Sequence, residues 1–211
     1  MRHSLAGKQD FHSHEVQRLI DRATEANDWN PAVGADGRLV VYGSTRSDDS
    51  GVWKTRADGS SPSSPLVRGL VGIPEVSPDG RHVLYVGFDA TLTGTRVGVV
   101  RFEDGEPAAF EVGLETVRPT TANLGRARWM ADGRIAFLGQ DENGTNGIFV
   151  QDFVPGRDTR ATRRKLGGFD PEVDAETFGV SPGGSRVVIA GREMVSSLVL
   201  LEGVTDLGPA K

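Results

Sequence analysis

The chain has 211 residues, of which 37% are hydrophobic, with 28 glycines, 11 prolines and no cysteine. The missing cysteines exclude disulfides, thiolate zinc sites and cysteine nucleophiles. A net charge of −5 gives no basic surface for nucleic acid or an anionic membrane. A glycine- and proline-rich composition of this kind suits many short strands joined by tight turns, not a helical bundle.

In chain order, Met1 to Gln9 hold no apolar stretch of the signal-peptide kind. No run approaches the ~20 apolar residues of a membrane span. The expectation is a chain without membrane insertion, cytoplasmic, or periplasmic if carried by a larger exported protein. Residues 1–14 read as an irregular segment. Val16 to Ile20 reads either as a lone fourth strand or as part of a helix from Glu15 to Ala26.

A short phrase then recurs four times: Val33-Gly34-Ala35-Asp36-Gly37-Arg38, Val76-Ser77-Pro78-Asp79-Gly80-Arg81, Trp129-Met130-Ala131-Asp132-Gly133-Arg134 and Val180-Ser181-Pro182-Gly183-Gly184-Ser185. Its second glycine recurs at steps of 43, 53 and 51 residues, the spacing of a propeller or a related array. Asp-Gly is a hairpin signal, because glycine accepts the positive φ such turns demand. Each copy is followed by an apolar run ending in glycine (Leu39 to Gly43, Val83 to Gly87, Ile135 to Gly139, Val187 to Gly191) that reads as a buried strand. The run is one residue longer after the two Ser-Pro turns, which predicts two turn geometries divided along that line. Third strands are expected at Val52 to Arg56, Arg96 to Phe102, Ile148 to Phe153 and Ser197 to Leu201. Fourth strands are expected at Pro65 to Arg68, Ala108 to Val112 and Thr162 to Leu166. Long linkers run from Gly113 to Gly125 and from Gly167 to Glu176. The array thus spans 15–204, in units 15–68, 69–112, 113–166 and 167–204, with a tail over 205–211.

Several patterns that imitate chemistry resolve into turns and surface. Gly179-Val180-Ser181-Pro182-Gly183 matches a serine-hydrolase nucleophile elbow, but the oxyanion hole needs the N–H of the following residue, and Pro182 has none. Every histidine (His3, His12, His14, His82) also precedes Ser181, against the order of that triad. His12-Ser13-His14 has no third ligand nearby, so no metal is expected. Asp141 to Gly147 looks oxygen-rich but lacks the distal bidentate Glu of a calcium loop, since Asp152 stands there, and reads as a hairpin turn. Arg157, Arg160, Arg163, Arg164 and Lys165 read as a charged edge strand. Trp53 and Trp129 fall on apolar positions and are expected in the core. Trp29 is either a surface anchor for a partner or a plug over a blade interface.

The phrase Ile73-Pro74-Glu75-Val76-Ser77-Pro78-Asp79-Gly80-Arg81, continuing through Val83-Leu84-Tyr85-Val86, resembles the WD-like repeats of the TolB family. So does the unit from Asp28-Trp29-Asn30-Pro31 to Ala57-Asp58-Gly59. The resemblance covers Val16 to Val204 and implies an all-β chain of four four-stranded antiparallel blades. Departures are Gly183 in place of the aspartate and the missing Ser-Pro in the first and third copies. Such repeats occur in envelope proteins that bind partners, beside bacterial serine/threonine kinases and winged-helix regulators, and in the gating domains of prolyl-oligopeptidase-type peptidases. No kinase motif is present in this chain. The resemblance therefore implies a non-catalytic module without cofactor that binds a protein or peptide, or else part of a peptidase's gating propeller. Loops that lead into the first strands carry Trp29, Asn30, Arg126 and Glu176, the expected interaction face. The ends allow a closed four-bladed ring, but the resemblance favours an open arc of a larger propeller, whose edge strands invite self-association.

Overall fold

The computed structural model describes residues 27–46, 50–88, 95–114, 127–141, 143, 145–169, 174–181 and 184–192. Blade one is β1 (Asp28–Val33), β2 (Leu39–Ser44), β3 (Gly51–Arg56) and β4 (Ser64–Arg68). Blade two is β5 (Val71–Val76), β6 (His82–Phe88), β7 (Thr95–Arg101) and β8 (Pro107–Leu114). Blade three is β9 (Ala127–Trp129), β10 (Ile135–Gln140), β11 (Asn146–Gln151) and β12 (Arg164–Gly168), and of blade four β13 (Asp174–Val180) and β14 (Val187–Arg192) are described. Every sheet is an antiparallel meander in sequence order. The chain is thus all-β and propeller-like, and the one helical turn among the described residues is the 3-10 turn Arg160–Thr162. The segments Val16 to Ile20 and Ser197 to Leu201 lie outside the described residues.

The core is divided by blade interface, as the period of two along a strand requires when both sheet faces are covered. Val41, Val52, Val76, Val83 and Val100 pack blade one on blade two. Leu84, Val97, Val99, Ile135, Phe137 and Phe149 pack blade two on blade three. Met130, Ala136, Leu138, Ile148 and Phe178 pack blade three on blade four. Along β6, Val83 and Tyr85 face one neighbour and Leu84 the other, which is why this strand reads as an unbroken apolar run. The first strands touch one another, β5 lying against both β1 and β9, and their side of the array is here called the hub.

The turn glycines Gly37, Gly80, Gly133 and Gly184 all hold φ between 68° and 83°. Two turn geometries do exist, but they do not follow the Ser-Pro line. The pairs Val33↔Val40, Val76↔Val83 and Val180↔Val187 each enclose six residues, whereas Trp129↔Ile135 encloses five. Blade three alone has the shorter turn. Ser-Pro serves another purpose: the Ser77 hydroxyl accepts the His82 N–H at 2.9 Å, and the Ser181 hydroxyl accepts the Arg186 N–H at 3.0 Å. Ser181, the apparent nucleophile, is thus a turn-closing residue.

Blade three also departs in its last strand, which starts two residues later than expected. The Thr159 hydroxyl donates to the Asp152 carbonyl, and the Asp152 N–H donates to the Thr162 hydroxyl at 3.0 Å. These side chains hold the backbone in a turn where Thr162 was expected in a strand. Of the basic run, Arg164 and Lys165 lie on the outer strand, with Lys165 Nζ 2.7 Å from Asp141 Oδ2, whereas Arg157, Arg160 and Arg163 precede it in the turn segment, where Arg160 pairs with Asp158. Asp141 Oδ1 accepts the N–H groups of Asn143 and Thr145, so the supposed calcium loop is a capped hairpin turn.

Candidate functional site

Two faces of the array are defined by the strands. The first strands begin on the start face, and the Asp-Gly turns lie on the opposite turn face. On the start face, Trp29 stands opposite Gly43 across the β1–β2 pair. Its ring occupies the space where Cβ atoms on Gly43 and on Gly72 of blade two would be, at 2.7 and 3.3 Å. The indole is therefore shared between two blades, and what remains of it is half-exposed. Asn30 follows at φ 48°, at a one-residue bulge in β1. Ile73 holds the matching place in blade two at φ 52°, and β13 carries a similar bulge at Glu176. A one-residue bulge thus recurs near the head of three first strands. Arg126 lies outside the described residues, and Glu176 is described only in its backbone.

Along the hub, a polar chain joins three blades. The Trp129 N–H donates to Glu75 Oε2 at 3.1 Å, and the Trp129 indole N–H donates to the Glu75 carbonyl at 3.2 Å. Arg128 stands 3.9 Å from Glu75 and donates through Nε to the Phe178 carbonyl at 3.3 Å. Burial pushes the Glu75 carboxyl up to about 7, against the opposing pull of Arg128 and the Trp129 N–H.

The turn face opens between blades two and three into a cleft of about 480 Å³. One wall is Ser77, Pro78, Asp79 and His82, the other Trp129, Ala131 and Asp132, with Phe153 and Pro155 across the outer end. His82 and Trp129 both set their rings edge-on to Phe153, with centroids 5.1 Å away. A shallower extension of about 340 Å³ continues past His82 along Arg101, Glu106 and Pro155. The Gly156 N–H, donating to the Ala108 carbonyl at 2.9 Å, ties the blade-three loop to blade two beneath it.

The charges around this cleft are largely arranged. Burial works to raise the Asp79 carboxyl, but the Ser77 hydroxyl and the Arg81 N–H donate to it and hold it below its ordinary value. Asp132 is held low by its bond from Arg134. Burial lowers the His82 imidazole, against the opposing pull of Asp79. The Trp129 indole N–H is committed to Glu75, and the Arg101 guanidinium to Asp104. The Arg81 guanidinium also lines the cleft, which therefore presents two carboxylates and a cationic donor beside its rings. Among the described residues no three His, Cys, Asp or Glu side chains come together as a metal group. No helix there is long and apolar enough to cross a membrane, which leaves strands untested.

Sequence reasoning pointed to the start face and missed this cleft. Its walls come from residues 77–82, 129–133 and 153–155, each of which reads locally as an ordinary turn. No signal within any one of these stretches marks it, because the cleft forms only where two blades meet.

No family model and no curated protein matches the chain. Solved structures do. TolB from Acinetobacter baumannii aligns with a TM-score of 0.55 at 19% identity, covering 81% of this chain and 39% of that one. The β-propeller domain of the Trilobed protease from Pyrococcus furiosus, described as having an open velcro topology, aligns at 0.52 and 14% identity, covering 82% and 51%. An acylaminoacyl peptidase from Pyrococcus horikoshii aligns at 0.50 and 15% identity, covering 78% and 28%. The chain spans about half or less of each of these proteins. At these identities the likeness establishes the fold, that of TolB-like β-propeller blades.

Proposed function

We propose that this chain is a non-catalytic binding or scaffolding portion of a β-propeller, and that it engages a protein or peptide partner at the turn-face cleft between blades two and three. The observation that carries this reading is the cleft itself. It is an open space of about 480 Å³ with His82, Trp129 and Phe153 rings and charged side chains among its lining. Concave, partly apolar sites with a few placed polar groups are where ligands bind. On this reading the chain is the sensor or interaction part of a larger bacterial signalling or envelope protein. The start face, with Trp29, Asn30, Arg126 and Glu176, is a second surface for the same kind of partner.

Peptide display against the purified chain tests the reading. Ala131 is exposed on the cleft wall, so Ala131→Trp fills the cleft from outside the core. Peptides that enrich on the parent chain and are lost on Ala131→Trp support the cleft. Peptides that bind both but are lost on Asn30→Ala move the site to the start face. No enrichment on either chain overturns the binding role.

A further inference from the structure

We propose that Glu75 is the positioning residue of the turn-face cleft: from blade two it holds Trp129 of blade three, and so sets the two walls against each other. The proposal rests on the binding reading above and adds the residue that controls the shape of that site.

Two departures from the repeat meet at this interface. The pairs that close the four turns place Trp129 where the other blades have Val33, Val76 and Val180. One residue earlier, Glu75 stands where the others have Ala32, Arg128 and Gly179. The two departures are bonded to each other twice. Glu75 Oε2 accepts the Trp129 backbone N–H at 3.1 Å, and the Glu75 carbonyl accepts the indole N–H at 3.2 Å. A tryptophan of blade three is thus anchored, at its backbone and at its ring, to one residue of blade two. In the first interface the equivalent side chain is the methyl of Ala32, which offers Val76 no acceptor.

The anchor bears directly on the cleft. Trp129 lines one wall, edge-on to Phe153. The other wall starts at Ser77, two residues beyond Glu75, where β5 has just ended. The bonds between Glu75 and Trp129 therefore tie the two walls together. Sealing the interface does not require a carboxyl, since burial disfavours its charge and the first interface packs on apolar side chains alone. Around the Glu75 side chain, Leu84 lies opposite in its own sheet and β1 packs on the same strand. Among the described residues the charged group that faces it is Arg128, 3.9 Å away. When the carboxyl is ionised, the bond from the Trp129 N–H is charge-assisted and Arg128 is drawn to it; protonation weakens both. Burial raises this carboxyl to about 7, so the hold on Trp129 tightens as pH rises through neutrality.

The test follows Trp129 by NMR in the full chain and needs no ligand. Failure of the display experiment would remove the binding role without changing these signals, so the two failures are distinguishable. In the parent chain the Trp129 amide and indole protons are expected to shift with a midpoint of about 7. In Glu75→Gln, which keeps an acceptor and cannot ionise, that step is expected to vanish. His82 contributes its own step in both chains, below 6.5. Glu75→Leu removes the acceptor. With the parent carboxyl ionised, Trp129 amide exchange is expected to be about tenfold faster in the leucine variant than in the parent. The Trp129–Phe153 ring contact, read by cross-relaxation, is expected to weaken in the same variant, and Glu75→Gln to retain it. Trp53, in blade one, is expected to report no change. If Glu75→Leu does not fold, the pH comparison between parent and Glu75→Gln carries the test. A step at about 7 that persists in Glu75→Gln, or Trp129 signals that show no such step in the parent, overturns the proposal. So does a folded Glu75→Leu whose Trp129 exchange and ring contact match the parent.

Discussion

The two blade interfaces on the turn face are built from the same parts and finished differently. Between blades one and two, a lysine crosses to two carbonyls and the gap is filled. Between blades two and three, a histidine stands edge-on to the equivalent phenylalanine and a cleft stays open beside it. At the hub the contrast runs through the first strands. Ala32 lies opposite Val41 in blade one, and Glu75 lies opposite Leu84 in blade two. The first interface is thus closed and apolar at its hub, and the second carries a half-buried carboxyl. Repetition fixes where the strands go, and single side chains at equivalent positions decide whether an interface is sealed or available.

The sharpest way to break this comparison is a matched pair of glycine substitutions. Gly105 and Gly156 hold φ of 78° and 75° at equivalent turns, so alanine is strained at both by about 1 kcal/mol. A Cβ on Gly105 would also stand 2.5 Å from the Leu66 carbonyl of blade one, whereas one on Gly156 meets nothing within 4 Å. That clash is with backbone, and overpacking of this kind costs about 1–3 kcal/mol more. Urea denaturation should therefore show Gly105→Ala losing about 2–4 kcal/mol and Gly156→Ala about 1. Equal losses would mean that the two interfaces are packed alike.

Glu75 sharpens the contrast at the hub. Its carboxyl is raised from 4.5 to about 7, so the folded chain holds a proton that the unfolded chain has released. The group's contribution to stability is therefore complete below pH 4.5, falls as pH rises through about 7, and is constant above. The full shift has a ceiling of about 3 kcal/mol, and with a quarter of the side chain exposed, about 1–2 is expected. Glu75→Gln keeps an acceptor for the Trp129 N–H and removes the titration. Relative to that variant, the parent chain should lose about 1–2 kcal/mol between pH 4.5 and 7.5. Parallel pH profiles for the two chains would show that Glu75 ionises freely in the fold.

Lys54→Met and His82→Leu compare the two finishing groups directly. Lys54→Met removes an ammonium that is half-buried and bonded to two carbonyls, and should cost about 1–2 kcal/mol. His82→Leu removes a ring that packs edge-on at the border of open space. It should cost less than about 0.5 kcal/mol, because leucine restores much of the contact. A larger loss at His82 would make the histidine, not the lysine, the stronger staple between blades.

Much of the fold was legible because the Asp-Gly turn and the apolar run after it are local signals. Gly80 needs positive φ, and Val83 to Gly87 needs two covered faces, whatever lies elsewhere. The third strands of blades one and two fell within a residue of where they were expected, and that of blade three lies two residues earlier, at Asn146–Gln151. What escaped was decided by side chains acting at a distance. The last strand of blade three starts late because Thr159 and Thr162 bind the Asp152 backbone. Trp29 is shared between blades because Gly43 and Gly72, far apart in sequence, both leave it room. The cleft is lined by residues 77–82, 129–133 and 153–155, which come together only when two blades pack, and no one of these stretches signals a cleft by itself.

The smallest expected effect concerns the two Ser-Pro turns. Ser77 and Ser181 close their turns with the same bond, the hydroxyl accepting an N–H five residues on. Their surroundings differ. Ser77 is 3% exposed and also donates to Asp79, while Ser181 is half-exposed. Alanine at 77 leaves the His82 N–H without its side-chain partner where water has little access, and takes one donor from a carboxylate on the cleft lip. Alanine at 181 leaves an N–H that water can reach. Ser77→Ala should therefore cost about 1 kcal/mol and Ser181→Ala less than about 0.5. Ser77→Ala should also bring the Asp79 carboxyl back toward its ordinary value, since the hydroxyl that helped hold it low is gone. A carboxyl titration followed by carbon-13 shifts reads that change independently of stability. If Asp79 titrates identically in both chains, the hydroxyl serves the turn alone and the charge on the cleft lip is set by the backbone.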